Sequence, residues 1–344
     1  MKNWIAFFLP VIIISFFVSD GFFTDAGADD GCVTAKCHQT LLKDAKYIHG
    51  PAATGDCTVC HTPHGPGKKS QLEKDGNELC FTCHFDVQED VKKKFMHPAL
   101  QGGCTSCHNP HGSPFRKLLS AEGQSLCFQC HPQISEKLTG SNMVHAPLKT
   151  EKGCASCHAP HAGDNEKLLP KKEMELCLDC HNNVIRKSMK VLHGPIKEGS
   201  CIPCHDPHGS QNMKLLAKEF PTAVYVSYTD KEYELCFSCH KRDMVRFPDT
   251  SFATGFRDVE RNLHFLHVNK KDSGRNCRVC HNIHGSESPR LIAQSVAFGK
   301  WQLPLKFIKT ETGGSCSPGC HKTFNYDRKT AGKAPEVQKP EKKK

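Results

Sequence analysis

Twenty-two cysteines and twenty-two histidines dominate the chemistry available to this chain of 344 residues. Every cysteine belongs to a pair, and every pair is followed at once by a histidine. Nine pairs have the spacing C-x-x-C-H, and they are Cys57/Cys60/His61, Cys80/Cys83/His84, Cys104/Cys107/His108, Cys127/Cys130/His131, Cys154/Cys157/His158, Cys177/Cys180/His181, Cys201/Cys204/His205, Cys236/Cys239/His240 and Cys277/Cys280/His281. Two looser versions stand at the ends of the array, namely Cys32/Cys37/His38 with four spacer residues and Cys316/Cys320/His321 with three.

This spacing is typical of covalent haem attachment. The two thiols add to the two vinyl groups of one haem, and the adjoining imidazole reaches the iron from the same side. Cysteine pairs with histidines could also form tetrahedral zinc sites, but zinc does not require a histidine directly after every second cysteine. A disulfide framework would leave the histidines without a role. The sequence therefore predicts about eleven covalently bound haems c as cofactors.

Eleven further histidines match the predicted haems in number, which is the supply that a second axial ligand for each iron requires. They are His49, His64, His97, His111, His145, His161, His193, His208, His264, His267 and His284. Methionine is the competing axial ligand. Met96, Met143, Met174 and Met244 have no fixed place in the pattern, and we assign them to packing. We therefore predict bis-histidine coordination, which gives low reduction potentials.

The attachment sites form an internal repeat. Opening pairs at Cys57, Cys104, Cys154, Cys201 and Cys277 begin repeats of 47 to 50 residues, of which the fourth is stretched to 76. An opening site continues as in His-Thr-Pro-His-Gly at 61–65, although the fifth has Ile283 in place of proline. A second site preceded by leucine follows, and then another histidine before the next opening pair. Such repetition predicts a quasi-linear array in which repeats contact mainly their neighbours.

The second histidine of each opening motif is too close to the first to serve the same haem. His64 lies three residues after His61 and cannot easily reach round the porphyrin to its opposite face. We therefore expect it to bind a different iron, and we expect the same of His111, His161, His208 and His284. Each would tie the polypeptide of one haem to the iron of another. Which iron takes which histidine does not follow from the sequence.

The predicted fold is that of a multihaem cytochrome c, mostly irregular, with short helices around a haem array and a small β element in the C-terminal third. The chain is only 38% hydrophobic, so the cofactors must supply most of the apolar interior. We predict helical turns at the attachment sites, notably in Gln71–His84 and Lys171–His181. Short helices are also expected before the incoming histidines, for example in Val87–Met96 and Val184–Leu192.

The stretched repeat carries an insertion that interrupts this pattern. Thr222–Tyr228 alternates apolar, aromatic and polar residues, and Trp301–Thr310 is similar, so we expect these stretches to pair as strands. The insertion would serve either as a stabilising cap or as a docking surface.

The chain divides into five segments by composition and spacing. Residues 1–28 resemble an export signal, with Lys2, an apolar run and a small-x-small cleavage pattern. An uncleaved anchor is the alternative, although the run is shorter than the roughly 20 residues of a spanning helix. Residues 29–56 form an N-terminal single-haem segment, 57–210 the repeated two-haem units, 211–321 the stretched C-terminal units with the insertion, and 322–344 a disordered basic tail. We expect a periplasmic protein without a transmembrane segment once the signal is cleaved.

The formal net charge of +10 does not indicate a nucleic-acid partner. Loss of the signal raises that charge by one. Each ferric haem with ionised propionates contributes about −1, so eleven haems nearly cancel the surplus. The basic chain compensates its cofactors.

The alternation of x-Pro-His-Gly sites with Leu-Cys-x-x-Cys-His sites resembles the doubled CXXCH multihaem cytochrome family from Cys32 to His321. The chain is more distantly similar to decahaem periplasmic components of porin–cytochrome conduits and to pentahaem donors of nitrite reductases. The resemblance implies anaerobic respiratory electron transport in a Gram-negative envelope, with redox proteins as donors and acceptors, a porin–cytochrome complex among them. The three-residue spacer of Cys316–His321 and the insertion around Tyr225 depart from the simple repeat.

Three functions fit these observations. The first is an electron carrier without catalytic residues, which passes electrons toward an outer-membrane or extracellular acceptor. The second is a multihaem reductase with one open-site haem, and it would be favoured if His264 were not a ligand. The third is a subunit of an extracellular cytochrome filament.

Overall fold

The computed structural model describes residues 32–33, 38–65 and 67–330. This part of the chain divides into two compact units. The first contains the described residues up to 74 together with 109–118, and the second contains 75–108 and 119–330. The predicted signal and the last part of the predicted tail, residues 331–344, lie outside the described residues.

The first compact unit consists of short segments beside the attachment sites at Cys32 and Cys57. Its helix Gly50–Thr54 begins with a proline in the first turn and ends at Gly55, whose φ of 77° is the left-handed conformation that glycine adopts at helix ends. The remaining elements are the 3₁₀ turns Cys57–Val59 and Arg116–Leu118 and the antiparallel strands Tyr47–Ile48 and Gly112–Ser113.

Short helices of the second compact unit carry its second attachment sites. The first cysteine of each such site lies within one of the helices Asn77–Phe81, Gly123–Phe128, Glu173–Leu178 and Glu234–Phe237. The other helices are Phe85–Asp90, Pro132–Gly140, Gly194–Lys197, Asp243–Arg246 and Leu263–Val268. The 3₁₀ turns are Pro98–Gly102, Cys104–Ser106, Ala146–Lys149, Gly153–Ser156, Glu166–Leu168, Met213–Leu215, Cys277–Val279 and Pro289–Leu291. No helix among the described residues is long and apolar enough to cross a membrane.

Two-residue strands join each of the first three repeats to the repeat after the next one. The antiparallel pairs are Phe95–Met96 with Ala162–Gly163, Met143–Val144 with Gly209–Ser210, and Val191–Leu192 with Gly285–Ser286. The first strand of each pair directly precedes an incoming histidine, and the second directly follows the last histidine of an opening motif. The backbone N–H of His97 therefore donates to the carbonyl of His161 at 2.9 Å, and His145 and His193 bond to His208 and His284 in the same way.

The small β element predicted for the C-terminal third is present. Arg257–Asp258 pairs with Arg261–Asn262, and Ser295–Phe298 pairs with Trp301–Pro304. A three-stranded antiparallel sheet follows, with the order Phe307–Lys309, Gly313–Cys316 and Phe324–Asp327. The last attachment site thus begins within a strand rather than within a helical turn.

Buried apolar side chains concentrate in the insertion. Tyr233, Val245 and Val268 form a cluster among the described residues, and Phe220 and Tyr228 are two of the aromatic rings packed against it. Elsewhere, buried hydrophobic residues are scattered singly, as the low apolar content predicts. The insertion therefore has a small core of its own, whereas the simple repeats have little apolar side-chain material to bury.

Two of the four predicted helical segments are confirmed in shortened form. Gln71–His84 contains the helix Asn77–Phe81, and Lys171–His181 contains Glu173–Leu178. The prediction for Val87–Met96 is only partly right, because the helix Phe85–Asp90 ends early and residues 95–96 form a strand. The prediction for Val184–Leu192 is wrong. Its last two residues pair with Gly285 and Ser286 of the fifth opening motif, which requires an extended backbone.

The predicted pairing of Thr222–Tyr228 with Trp301–Thr310 is also wrong. Residues 301–304 and 307–309 are strands, but each pairs with its neighbour in the sequence, and Tyr225 bridges to Arg275 instead. The tail does not begin at Lys322, because Phe324–Asp327 forms the edge strand of the C-terminal sheet and buries Tyr326. The prediction of a tail gave more weight to the lysine and proline content of this segment than to the apolar and aromatic residues of the short strand.

Replacement of Gly163 by alanine is expected to destabilise the holoprotein. An added Cβ would lie 2.8 Å from the backbone carbon of Leu168, so the strand Ala162–Gly163 and the turn Glu166–Leu168 would have to move apart. We expect a loss of about 1–3 kcal/mol in the free energy of unfolding, measured by thermal or denaturant unfolding. Gly194→Ala is the control, because a Cβ at Gly194 meets nothing within 4 Å. Equal stability of the two variants would contradict the expectation.

Candidate haem-binding sites

The nine C-x-x-C-H segments share one backbone turn. In each, the N–H of the histidine donates to the carbonyl of the first cysteine at 3.0–3.1 Å, which closes a single turn over the pair. The looser site at Cys316 differs, because the N–H of His321 donates to Pro318 at 3.4 Å. At the other end of the array, Cys32 and His38 are described, and Cys37 lies outside the described residues.

The second cysteine of every second site is exposed, so the polypeptide alone does not enclose these predicted haem-binding thiols. The exposed residues are Cys83, Cys130, Cys180, Cys239 and Cys320, whereas the first cysteine of each of these sites is partly buried. In four of the sites the helix that carries the first cysteine ends two residues before the second, which leaves the second side chain outside the helix packing. Those helices end at Phe81, Phe128, Leu178 and Phe237.

This exposure departs from the enclosure usual for cofactor-binding side chains. A thioether requires only that the sulfur reach a vinyl carbon at the edge of the haem, so Cys83, Cys180 and Cys239 need no pocket of protein atoms around them. Their assignment to haem therefore rests on their spacing and on the shared turn, and it stays a prediction.

The histidines of opening motifs meet across consecutive repeats. Each proximal histidine, the one that adjoins its cysteine pair, faces the second histidine of the next opening motif. The ring centres are 5.8–6.3 Å apart in the pairs His38/His64, His61/His111, His108/His161, His158/His208 and His205/His284. No opening motif follows the fifth, and His281 there faces His264 at 6.5 Å.

The histidines of second sites meet the incoming histidines of the preceding repeat. The pairs are His131 with His97, His181 with His145, His240 with His193 and His321 with His267, with ring centres 6.0–6.4 Å apart. His49 and His84 stand in the same relation in the sequence as the members of these pairs.

These separations suit an iron between two imidazoles. An imidazole nitrogen binds a first-row metal at about 2.0–2.1 Å and lies roughly 1.1 Å from its own ring centre, so two axial rings should be about 6.3 Å apart. The ten described pairs lie within half an ångström of that value. Among the described residues, no group of three or more histidine, cysteine or acidic side chains converges as a tetrahedral metal site would require. The histidines meet in twos, and the porphyrin would provide the other four nitrogen ligands.

The planes of the paired rings are mostly close to parallel. Nine of the ten described pairs have interplanar angles of 6–44°. His38 and His64 are the exception, at 78°. The first site therefore differs from the others in ring orientation as well as in its cysteine spacing.

Backbone carbonyls fix which ring nitrogen remains for a metal. The Nδ1 of His158, His205 and His281 lies 2.7–3.0 Å from the carbonyl oxygens of Lys167, Lys214 and Arg290, respectively. The Nδ1 of His145 and of His267 meets the carbonyls of Pro207 and Leu263 in the same way. A carbonyl can only accept, so Nδ1 must carry the proton and Nε2 keeps its lone pair. This is the tautomer that a haem ligand needs.

Burial keeps the central imidazoles neutral. Burial, together with the neighbouring rings of His281 and His267, lowers the pKa of His264 to about 4, because neighbouring imidazoles resist joint protonation. Burial also lowers the pKa of His111, His208 and His284, with a facing histidine as the next cause in each case. Only the neutral ring can bind iron.

His264 and His267 are held by a locally capped helix. Asn262, which is fully buried, accepts hydrogen bonds at its side-chain oxygen from the N–H groups of His264 and Phe265 at 3.0 and 3.2 Å. Its amide donates to the carbonyls of Met244 and Phe247. The cap places two histidines three residues apart on one helical face, where they meet two different partners.

Thiols of successive attachment sites lie next to one another in the second compact unit. The first cysteine of each second site is within hydrogen-bonding reach of the first cysteine of the next opening site, in Cys80/Cys104, Cys127/Cys154, Cys177/Cys201 and Cys236/Cys277. The second cysteine of each opening site interacts electrostatically with both cysteines of the following second site, in Cys107 with Cys127/Cys130, Cys157 with Cys177/Cys180, Cys204 with Cys236/Cys239 and Cys280 with Cys316/Cys320. Sites from Cys80 to Cys320 therefore form an unbroken succession.

The first compact unit repeats the first of these contacts, because the thiols of Cys32 and Cys57 are also within hydrogen-bonding reach. Burial raises the pKa of Cys80, Cys177 and Cys280 to about 11. The hydrogen bond from Cys127, in contrast, lowers the pKa of Cys154 to about 7.

Polar side chains before the second sites brace the next opening site, a role that the sequence pattern did not reveal. Asn77 accepts from the N–H of Cys104 at 2.9 Å and donates to Leu100. Glu173 accepts from the N–H of Cys201 at 2.7 Å and from that of Ile202 at 3.2 Å. A polar residue three or four positions before the cysteine is the only sequence signal of this contact, and it is too common to be diagnostic.

A profile of the doubled CXXCH motif family matches residues 49–89, 97–136, 145–185 and 193–245. The matched stretches begin at the incoming histidines or directly beside them and cover half of the chain. No curated protein matches this chain significantly.

Replacement of Glu173 by alanine is expected to loosen the opening site at Cys201. Two backbone N–H groups and the hydroxyl of Ser200 would lose their acceptor. We expect a loss of about 1 kcal/mol in the free energy of unfolding and a fraction of molecules one haem short by intact mass. Glu175→Ala, at an exposed position of the same helix, is the control and should retain full haem content. Full occupancy and unchanged stability in Glu173→Ala would refute this role.

Proposed function

This chain belongs to the doubled CXXCH family of multihaem c-type cytochromes, and from that premise we propose that it carries electrons through about eleven bis-histidine haems outside the cytoplasmic membrane. The observation that supports this most directly is the pairing of imidazole rings at 5.8–6.5 Å. Each pair has the separation of two axial ligands on one iron. A covalently bound haem supplies a reversible one-electron iron couple, held at low potential by two imidazoles.

The ring pairs support a ligand assignment with two rules. An opening site takes its distal ligand from the next opening motif, so that His111 serves the haem of Cys57 and Cys60. A second site takes its distal ligand from the incoming histidine of the preceding repeat, so that His97 serves the haem of Cys127 and Cys130. The first rule agrees with the steric expectation for His61 and His64, since neighbouring histidines of one motif then bind different irons.

His264 bears on the choice between a carrier and a reductase. A reductase needs an iron with an open position for its substrate. His264 faces His281, which is the site where no following opening motif exists to supply a distal ligand. With His264 in that role, every iron would have two protein ligands, and substrates would find no vacant coordination position. The protein would then exchange electrons only through contact with other redox centres.

The role of the polypeptide is to position the haems relative to one another. Covalent thioethers would fix the edge of each ring, and the cysteines of successive sites interact with one another from Cys80 to Cys320. Strand pairs between alternate repeats align His97 with His161 and His145 with His208, so they hold histidines of different ring pairs side by side. Electron tunnelling requires such close and fixed neighbours, and a ligand that crosses repeats prevents one site from drifting away from the next.

The route and location follow from the sequence argument. We propose a periplasmic protein that accepts electrons from a redox protein and delivers them toward an outer-membrane or extracellular acceptor, with a porin–cytochrome complex as the candidate partner. The near balance between the basic chain and the haem propionates supports redox-protein partners over nucleic acid.

The native holoprotein is expected to contain eleven haems, all of them low-spin. Every histidine is assigned, so neither a high-spin ferric signal nor carbon monoxide binding by the reduced protein should appear. Intact mass spectrometry gives the haem number, and an electron paramagnetic spectrum of the same sample gives the ligation. A substantial high-spin population would favour the reductase over the carrier.

Replacement of His264 by alanine should convert one haem of the eleven to a high-spin, carbon-monoxide-binding form. The iron of Cys277 and Cys280 would keep only His281 as a protein ligand. Met174→Leu, a nearly isosteric change at a half-buried residue without a ligand role, should leave the spectrum unchanged. A fully low-spin His264→Ala protein would show that His264 does not bind iron.

A further inference from the structure

Four repeats contain two consecutive non-glycine residues in the left-handed conformation. The pairs are Lys117–Leu118, Lys167–Leu168, Lys214–Leu215 and Arg290–Leu291, and all eight φ angles lie between 55° and 59°. Side chains with a Cβ rarely adopt this conformation, and two in succession add their costs in free energy. Strain that recurs at one place in four repeats requires a contact that depends on it.

The left-handed pair folds the chain back over the opening attachment site. The N–H that follows the proximal histidine donates to the carbonyl of the leucine, from Ala159 to Leu168 at 2.8 Å and from Asp206 to Leu215 at 2.7 Å. The same bond joins Asn109 to Leu118 and Asn282 to Leu291. These bonds fix the position of the carbonyl of the basic residue one place earlier.

That carbonyl accepts a hydrogen bond from the proximal imidazole. The oxygens of Lys167, Lys214 and Arg290 lie 2.7, 3.0 and 2.9 Å from the Nδ1 of His158, His205 and His281. A carbonyl is a strong acceptor that cannot rotate away from a fixed backbone. It holds the ring in one orientation and makes Nε2 a stronger electron donor.

The opening site at Cys57 lacks this device. Its chain from Ser70 to Glu73 has no left-handed residue, and the Nδ1 of His61 lies 3.2 Å from the hydroxyl of Ser70. That hydroxyl donates to the carbonyl of Thr62 at 3.0 Å, so its oxygen is free to accept from the imidazole. At the first opening site a side-chain hydroxyl thus accepts the hydrogen bond of the proximal imidazole, whereas in later repeats a carbonyl of the strained backbone accepts it.

We propose that the left-handed pairs position the proximal histidines and lower the reduction potentials of their haems, and that Ser70 does the same at the first opening site. The inference rests on the proposed haem ligation. A ligand whose Nδ1–H is hydrogen-bonded donates more charge to the iron and stabilises the ferric state. Loss of the acceptor therefore raises the potential of that haem alone. Lys167, Lys214, Arg290 and Ser70 act as positioning residues through the imidazole.

The test at Lys167 compares two substitutions that both remove its charge. Asparagine tolerates the left-handed conformation, whereas valine with its branched Cβ does not. The holoprotein is reduced stepwise, and the reduced fraction of its haems is followed by their absorption bands. In Lys167→Val, the part of the absorbance change that belongs to one haem should occur at a higher potential than in Lys167→Asn. Lys167→Asn should match the native curve apart from the loss of one charge. Coincident curves for the two variants would overturn the proposal.

A second comparison avoids backbone strain, in case Lys167→Val does not assemble. Ser70→Ala removes the acceptor of His61, and Ser70→Thr keeps a hydroxyl. Ser70→Ala should raise the potential of one haem, and Ser70→Thr should restore the native curve. Unchanged curves in Ser70→Ala would contradict the proposal, while the proposed function would fail separately if native haems did not respond to a reductant.

Discussion

The constraint on which this structure depends is that two imidazoles from distant points of the chain must face each other across the space of one iron. His61 and His111 are 50 residues apart in sequence and 5.9 Å apart between ring centres. Each such pair closes a loop as long as a whole repeat. In the proposed ligation, a metal bond would offset the chain entropy of that closure, as a metal does in other small domains with thin cores. Apolar burial is a secondary force here, since side-chain clustering is confined to the insertion around Tyr233.

Local elements accommodate this constraint. The extended residues before His97, His145 and His193 pair with residues after His161, His208 and His284, so backbone hydrogen bonds align histidines that belong to neighbouring sites. Glycines such as Gly209 and Gly285 allow these strands to approach, because a Cβ would lie within 3 Å of a neighbouring side chain. Asn77 and Glu173 brace the next opening turn. Most of the secondary structure is therefore a short connection between ligands.

The sequence predicts the chemistry of this protein more completely than its conformation. Cysteine spacing and the count of histidines specify the sites because covalent and metal bonds impose fixed residue types. The crossing of ligands between haems follows in part from the three-residue gap between His61 and His64. The partners themselves depend on contacts between repeats that no local pattern encodes, and His264 in particular has no repeat position from which its role could be inferred.

Conformations that arise from tertiary contact were not predictable either. Val191 and Leu192 fit a helix or a strand equally well until Gly285 and Ser286 are placed beside them. Lys167 and Leu168 adopt a backbone that their own propensities oppose, because their carbonyls accept hydrogen bonds from the imidazole of His158 and the N–H of Ala159. Phe324–Asp327 joins a sheet although its neighbours in sequence are those of a solvated tail.

The crossed arrangement of histidines also limits how such a chain can change length during evolution. In the proposed ligation, each repeat gives a histidine to the repeat before it and another to the repeat after it, and it receives the same from its neighbours. Duplication or deletion of a whole repeat therefore preserves every kind of pair, and the number of haems changes by two. Loss of a single attachment site would leave a histidine of another repeat without the iron that it would bind. At the fifth opening site the facing histidine, His264, lies outside the repeat pattern, and a separate helix carries it.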